Sequence, residues 1–341
     1  MAKNKAAVVF IHGLSKKPAP NELKRLWLWG LERDNPMPTV FAPPNRGVKL
    51  GTNGVSTNFC YYADVFYGED YEVDFQSYYE HETAKNALAA DALIVLEADL
   101  PLSTGVTPRE QLFLRAFEAR LEANLDLADA GDAGDTGDAG DTSVLTRGAQ
   151  EYEIAGFLPK AVRQAIIKKA AMEAYYYLFD KQYKRADGTN FQVRSTLRAK
   201  LMATLAAASA EAEKVILVSH SMGTMIAYDV LRNCPDCAEV DTLITLGSPL
   251  GVREVQNELI AIDTSQIDFP AKKLANWINI YDPLDPICGA DPRFANDFRA
   301  VDGKAVVDLK ESNWGGWCHT ITHYLAGTKL RASLATAAGI A

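Results

Sequence analysis

Lys214–Val230 reads KVILVSHSMGTMIAYDV, and this stretch decides the architecture. An apolar, β-branched run passes directly into Ser219-His220-Ser221-Met222-Gly223, and helix-prone residues follow from Met222 to about Arg232. Strand, sharp turn and helix form the context that a G-x-S-x-G elbow requires. Such a turn holds its central serine in a strained backbone conformation and lifts Oγ clear of the sheet. Small residues two places before and two after keep strand and helix from colliding. Ser219 stands where the first glycine is expected, a departure of one hydroxymethyl group. The dipole of the helix behind the turn favours negative charge developing beside it. The same pentapeptide also reads as a serine-rich turn capping a helix. The flanking strand and the second small residue favour the elbow, with Ser221 as nucleophile.

Working outward, the pattern repeats. Ala6–Ile11 is a short apolar run, as in a parallel strand buried on both faces. Residues 21–33 (NELKRLWLWGLER) read as a helix and Phe59–Tyr67 (FCYYADVFY) as a second strand. Thr242–Leu246, Trp277–Tyr281 and Lys304–Leu309 are further strands, and helix-prone sequence runs from about Ile321 to Ala337. Strands alternating with helices predict an α/β fold built on a mostly parallel sheet flanked by helices. Ligands of such sheets bind at the carboxyl ends of the strands.

Polar residues stand at those ends. WINIY leads into Asp282-Pro283-Leu284-Asp285-Pro286, where either aspartate is a candidate acid and the prolines stiffen the turn. Two histidines follow, His319 and His323, and either is a candidate base, in the chain order Ser, Asp, His. Their spacing also suits a metal, but no Glu follows the first, so H-E-x-x-H is absent and no metal is expected. A tetrahedral intermediate needs two donors at its oxygen. The N–H groups of Met222, just after the nucleophile, and of Leu14, just past His12-Gly13, are the candidates. His12 is expected to brace that loop.

Residues 69–187 break the alternation. Thr107–Asp129 and Leu158–Tyr183 read as helices, the second carrying Tyr175-Tyr176-Tyr177, either a wall for an acyl chain or plain core. Between them, Asp129–Thr142 (DAGDAGDTGDAGDT) lacks the spacing of a calcium loop and reads as a flexible, solvated linker. The expected domains are therefore a core of 1–68 and 188–341 and a helical insertion, 69–187, as a candidate lid.

The totals set outer bounds. A chain of 341 residues, 48% hydrophobic and 23% charged, fits one large domain or a core with a smaller one. A formal charge of −9 argues against nucleic acid or an anionic membrane as partner. No apolar run is long enough for an integral membrane segment, and the run in MAKNKAAVVFIHG is too short for a signal peptide. Five cysteines, an odd and sparse set, suit reduced thiols and a cytoplasmic location. Cys234-Pro-Asp-Cys237 is a lone C-x-x-C with no second pair, and no cofactor is implied.

VVFIHGL, VSHSMGT, TLGSPLG and NIYDPLDPI, with a late histidine before a helix, resemble an α/β-hydrolase of the lipase/esterase kind. The resemblance covers residues 5–67 and about 190–336. It implies an acid at Asp285, with Asp282 as second choice. It implies a base at His319, ahead of a helix opened by Tyr324, with His323 as second choice. It implies hydrolysis of a small-molecule or lipid-like ester through an acyl-enzyme, without a cofactor. A thioesterase or amidase would use the same triad, and a non-catalytic binding protein the same fold.

Overall fold

The computed structural model describes residues 3–13, 17–68, 100–102, 105–130, 160–260, 266–288, 291–313 and 318–340. Its strands are β1 (Asn4–Ile11), β2 (Val55–Cys60), β3 (Gln182–Lys184), β4 (Asn190–Gln192), β5 (Ala212–His220), β6 (Val240–Leu246), β7 (Leu274–Tyr281) and β8 (Val306–Lys310). Six of them form one sheet in the order β2-β1-β5-β6-β7-β8, and every neighbouring pair is parallel. The register sets Ile11 beside Ser219 and Ser219 beside Thr245, so the turns that follow β1, β5 and β6 open at one edge.

Parallel neighbours need crossover connections, and helices supply them: α1 (Pro20–Glu32), α2 (Ala63–Tyr67), α3 (Pro108–Ala130), α4 (Lys160–Leu178), α5 (Val193–Glu211), α6 (Met222–Asn233), α7 (Arg253–Leu259), α8 (Ile321–Ala326) and α9 (Thr328–Ala338). The period-2 alternation of the strands sorts them into two layers. Ala7, Val9, Ile11, Val215 and Leu217 share a core with apolar side chains of α2 to α7. Ala6, Val8, Phe10, Ile216 and Val218 face α1, α8 and α9. A parallel sheet between helical layers, with an elbow after a central strand, is the α/β-hydrolase fold.

Three elements differ from the sequence expectation. Phe59–Tyr67 is not one strand: β2 ends at Cys60 and Ala63–Tyr67 is helical. The partner strand β1 ends at Ile11, opposite Cys60, so the later residues have no ladder to join. The crossover α5 carries Val193, Leu197, Leu201 and Leu205 at four-residue intervals, an amphipathic signal that the short β3–β4 hairpin in front of it obscures. The last helical stretch is two helices, split at Gly327. The Glu311 carboxylate accepts the Lys329 N–H there at 2.7 Å, and a Cβ on Gly327 would lie 2.7 Å from its Oε2.

The expected helices of the insertion exist as α3 and α4, and their Phe113, Phe117, Leu121, Tyr175 and Tyr177 share the core of the first layer. Residues 131–142 of the Asp/Gly repeat lie outside the described residues. Among the described residues no helix is long and apolar enough to cross a membrane.

Candidate active site

Ser221 is the single residue between β5 and α6, and its backbone sits at φ 54°, ψ −128°. A positive φ is costly for a residue with a Cβ. The surroundings impose it: the Ser221 N–H donates to Leu246 O at 3.0 Å, and its carbonyl accepts from Thr224 N–H at 3.0 Å and from Thr224 Oγ1 at 2.6 Å. Gly223 lies so close to β1 that a Cβ would come within 2.4 Å of His12 O. Ser219, in place of the first glycine, is fully buried, and its hydroxyl donates to Ile244 O on the neighbouring strand at 3.3 Å. The extra hydroxymethyl group therefore fits without an unpaired polar atom.

His319, between β8 and α8, brings Nε2 to 2.9 Å from Ser221 Oγ. Its Nδ1 lies 2.9 Å from both oxygens of Asp285, in the turn after β7. With Nδ1–H donating to a carboxylate, Nε2 is the ring nitrogen left to accept from the Ser221 hydroxyl. Asp285 is fully buried. Burial pushes its pKa up, but the His319 charge, the hydrogen bonds from His319 and Tyr324 and the Ile287 N–H outweigh it, so the carboxyl is held below its usual range. The Ile287 N–H reaches Oδ1 at 2.9 Å, and the Tyr324 hydroxyl reaches Oδ2 at 2.7 Å.

The two second choices stand elsewhere. Asp282 accepts Leu284 N–H at 2.8 Å on one oxygen and Asn313 N–H at 2.5 Å on the other. The Asn313 side chain in turn donates to Cys318 O at 2.7 Å. Asp282 thus holds the start of the loop that delivers His319, while Asp285 meets the imidazole. His323 lies buried within α8, and burial pushes its pKa down to about 3, so it is neutral. His220, beside Ser221, turns its ring toward His319: Nε2 is 3.0 Å from His319 O and the ring centroids are 4.7 Å apart.

The loop after β1 passes directly over the serine. A Cβ on Gly13 would lie 2.6 Å from Ser221 Cβ and 3.2 Å from its Oγ. His12 Nε2 accepts the Tyr62 N–H at 3.0 Å, so its Nδ1–H donates to Gly13 O at 2.7 Å. Burial first, then the Lys17 charge, pushes the His12 pKa down to about 3 and keeps the ring in that neutral form. Met222 is the first residue of α6, where a backbone N–H has no acceptor within the helix. Leu14 lies outside the described residues.

Other candidates fall to structural roles. Tyr175, Tyr176 and Tyr177 are buried, and their hydroxyls reach Glu110, Pro101 O and Asp229 at 3.4, 2.7 and 2.7 Å, which is core packing rather than a bare acyl wall. Asp229, on α6, also binds Arg194 and Arg198 of α5 at 2.7 and 2.6 Å, tying the elbow helix to α4 and α5. Cys237 follows the C-terminal end of α6 and burial pushes its thiol up to about 11, the opposite of a reactive C-x-x-C.

Sequence reasoning missed Tyr324 as a donor to Asp285, Asn313 as the clamp of the His319 loop, and Gly247. At Gly247 φ is +52°, and a Cβ would sit 2.7 Å from Asp285 Oδ2 and 3.1 Å from His319 Nδ1. The Leu-Gly-Ser-Pro segment was the available signal for Gly247; a single Tyr in a helix and a single Asn in a loop carry none.

A family model described as a PGAP1-like alpha/beta domain matches residues 152–277, a span that holds β5, the elbow and β6 and stops short of Asp285 and His319. No curated protein matches the chain. Among solved structures, the crystal structure of an uncharacterized protein from Pseudomonas aeruginosa aligns at 9% identity and a TM-score of 0.32. The alignment covers 98% of this chain and 46% of that one. The parallel sheet, the family match and the site geometry together give the chain an α/β-hydrolase-like domain with a Ser–His–Asp arrangement of the serine-hydrolase type.

Proposed function

We propose that the protein hydrolyses carboxylic esters of small or lipid-like molecules through an acyl-enzyme on Ser221. The observation that carries this reading is the continuous path from Asp285 through His319 to Ser221, each step 2.9 Å long, at the end of a strained elbow. In this reading His319 Nε2 takes the Ser221 proton as Oγ attacks the ester carbonyl. The negative oxygen is held by Met222 N–H and by Leu14 N–H, the latter proposed from its place after His12-Gly13. Collapse expels the alcohol, protonated by His319. A water deprotonated by the same ring then attacks the acyl-enzyme, and Ser221 recovers its proton. Asp285 stays ionised and stabilises the imidazolium throughout. The lipase/esterase resemblance of the segments around these residues supports an ester as acyl donor.

A fluorophosphonate probe tests the nucleophile. The wild type is expected to label, and Ser221→Ala to lose labelling; equal labelling of the two, or none in the wild type, overturns the reading. Matched p-nitrophenyl esters, thioesters and anilides, with acyl chains from short to long, then rank the acyl donor. A preference for thioester or anilide replaces the ester assignment while keeping the nucleophile.

A further inference from the structure

Asp285 has more donors than the reaction requires. His319 Nδ1–H lies 2.9 Å from both oxygens and the Ile287 N–H occupies Oδ1. The Tyr324 hydroxyl occupies Oδ2 at 2.7 Å. The direction of that last bond is set. An ionised carboxylate only accepts, so the phenol hydrogen points to Asp285, while the phenol oxygen accepts the Asp282 N–H at 3.3 Å. The Tyr324 ring is fully buried in the layer formed by α1, α8 and α9, with Ile321, Leu325 and Leu330. On the other side Gly247 leaves no slack: a Cβ there would meet Asp285 Oδ2 at 2.7 Å and Tyr324 Cε2 at 3.1 Å.

We propose that Tyr324 is a positioning residue for the acid–base pair: its hydroxyl fixes the rotation of the Asp285 carboxylate and takes up part of its charge, so setting how firmly His319 holds a proton. The proposal rests on the hydrolase reading above. A hydrogen bond to a charged acceptor is among the stronger ones, and both groups here are fully buried. Without it, Oδ2 loses its second donor and more of the carboxylate charge falls on the imidazolium. The ring then stays protonated to higher pH, and less of it is available as base. The other titratable groups facing the pair are His220 at the end of β5, Asp282 and Cys288 in the acid turn, His323 on α8 and Lys17 after β1. All of them remain in a Tyr324→Phe variant.

The test is the rate of fluorophosphonate labelling and of p-nitrophenyl ester hydrolysis across pH for wild type and Tyr324→Phe. The acid limb of kcat/KM is expected to move to higher pH by about half a unit or more, with kcat about fivefold or more lower and KM within about twofold. Site-specific 3-fluorotyrosine at position 324, a stronger donor of the same shape, is expected to move the limb the opposite way. Profiles that superimpose on the wild type in both variants overturn the proposal, as does a uniform fall in rate without a shift. Absence of labelling in the wild type instead sinks the hydrolase reading itself, so the two failures are distinguishable. Should the phenylalanine variant not fold, the fluorotyrosine arm alone decides.

Discussion

Two turns at the same sheet edge, the elbow at Ser221 and the loop that carries His319, are held by different means. The elbow is fixed by main chain and by the absence of side chains. Ser221 is locked at φ 54° by backbone bonds, with Gly13 and Gly223 in contact distance of β5 and β1. The His319 loop is fixed by side chains, two of them from distant segments: His220 on His319 O, Asp282 on Asn313 N–H, and Asn313 of the loop itself on Cys318 O. The difference teaches that Ser221 is placed by local stereochemistry, whereas His319 is placed by a polar network assembled on folding. Damage to the first should be all-or-none; damage to the second should be graded.

The largest expected effect separates the two histidines. His319→Ala should lower kcat by about 10³-fold or more, while His323→Gln should cost less than about tenfold; the reverse order in steady-state ester kinetics would move the base to His323. Next, Gly223→Ala forces a methyl to within 2.4 Å of the His12 carbonyl. Because backbone cannot yield as a flexible side chain does, it should destabilise by about 1–3 kcal/mol and abolish labelling, as read from urea melts and the fluorophosphonate probe. Asp282→Asn is the graded case. With Asp285 intact, kcat should fall by about tenfold with little change in KM; a loss as large as that of His319→Ala would make Asp282 the acid.

The smallest effect is on stability. His12 and His323 are buried and neutral, with pKa values of about 3 in the folded chain against 6.5 in the unfolded chain. Below pH 6.5 the unfolded state binds protons that the folded state refuses. Their contribution is therefore fully present above that pH and is lost as pH falls from about 6.5 toward 3. The limiting slope is about 1.4 kcal/mol per pH unit for each group. Urea denaturation at pH 7, 6 and 5 should show His323→Gln flattening this decline by one histidine's share. An unchanged slope would mean that the ring is already charged in the fold.

How much was legible follows the same division. Strands β1, β5, β6 and β7 were readable because a strand buried on both faces must be apolar throughout, whatever it pairs with. The elbow was readable because strand, small residue, serine, small residue and helix are contiguous. The α3 and α4 segments were readable as helices but not as part of the sheet's core, since burial of Tyr175 and Tyr177 depends on the sheet beneath them. The helical end of Phe59–Tyr67 was not readable, because its aromatic run suits a strand until β1 runs out of partners at Ile11.

By itself, the sequence determined the parallel sheet, the strand–turn–helix elbow at Ser221 and a short set of candidates for its partners. These depend on periodicity, on the steric demands of one turn and on chain order, which are properties of neighbours along the chain. Only the tertiary structure decided that the imidazole facing Ser221 is His319 and the carboxylate facing His319 is Asp285. It also set Asp282, Asn313, His220 and Tyr324 around them. Those choices turn on differences of a few ångströms between segments up to a hundred residues apart. A hydrogen bond is made or lost over about half an ångström, and only the packed core fixes distances that finely.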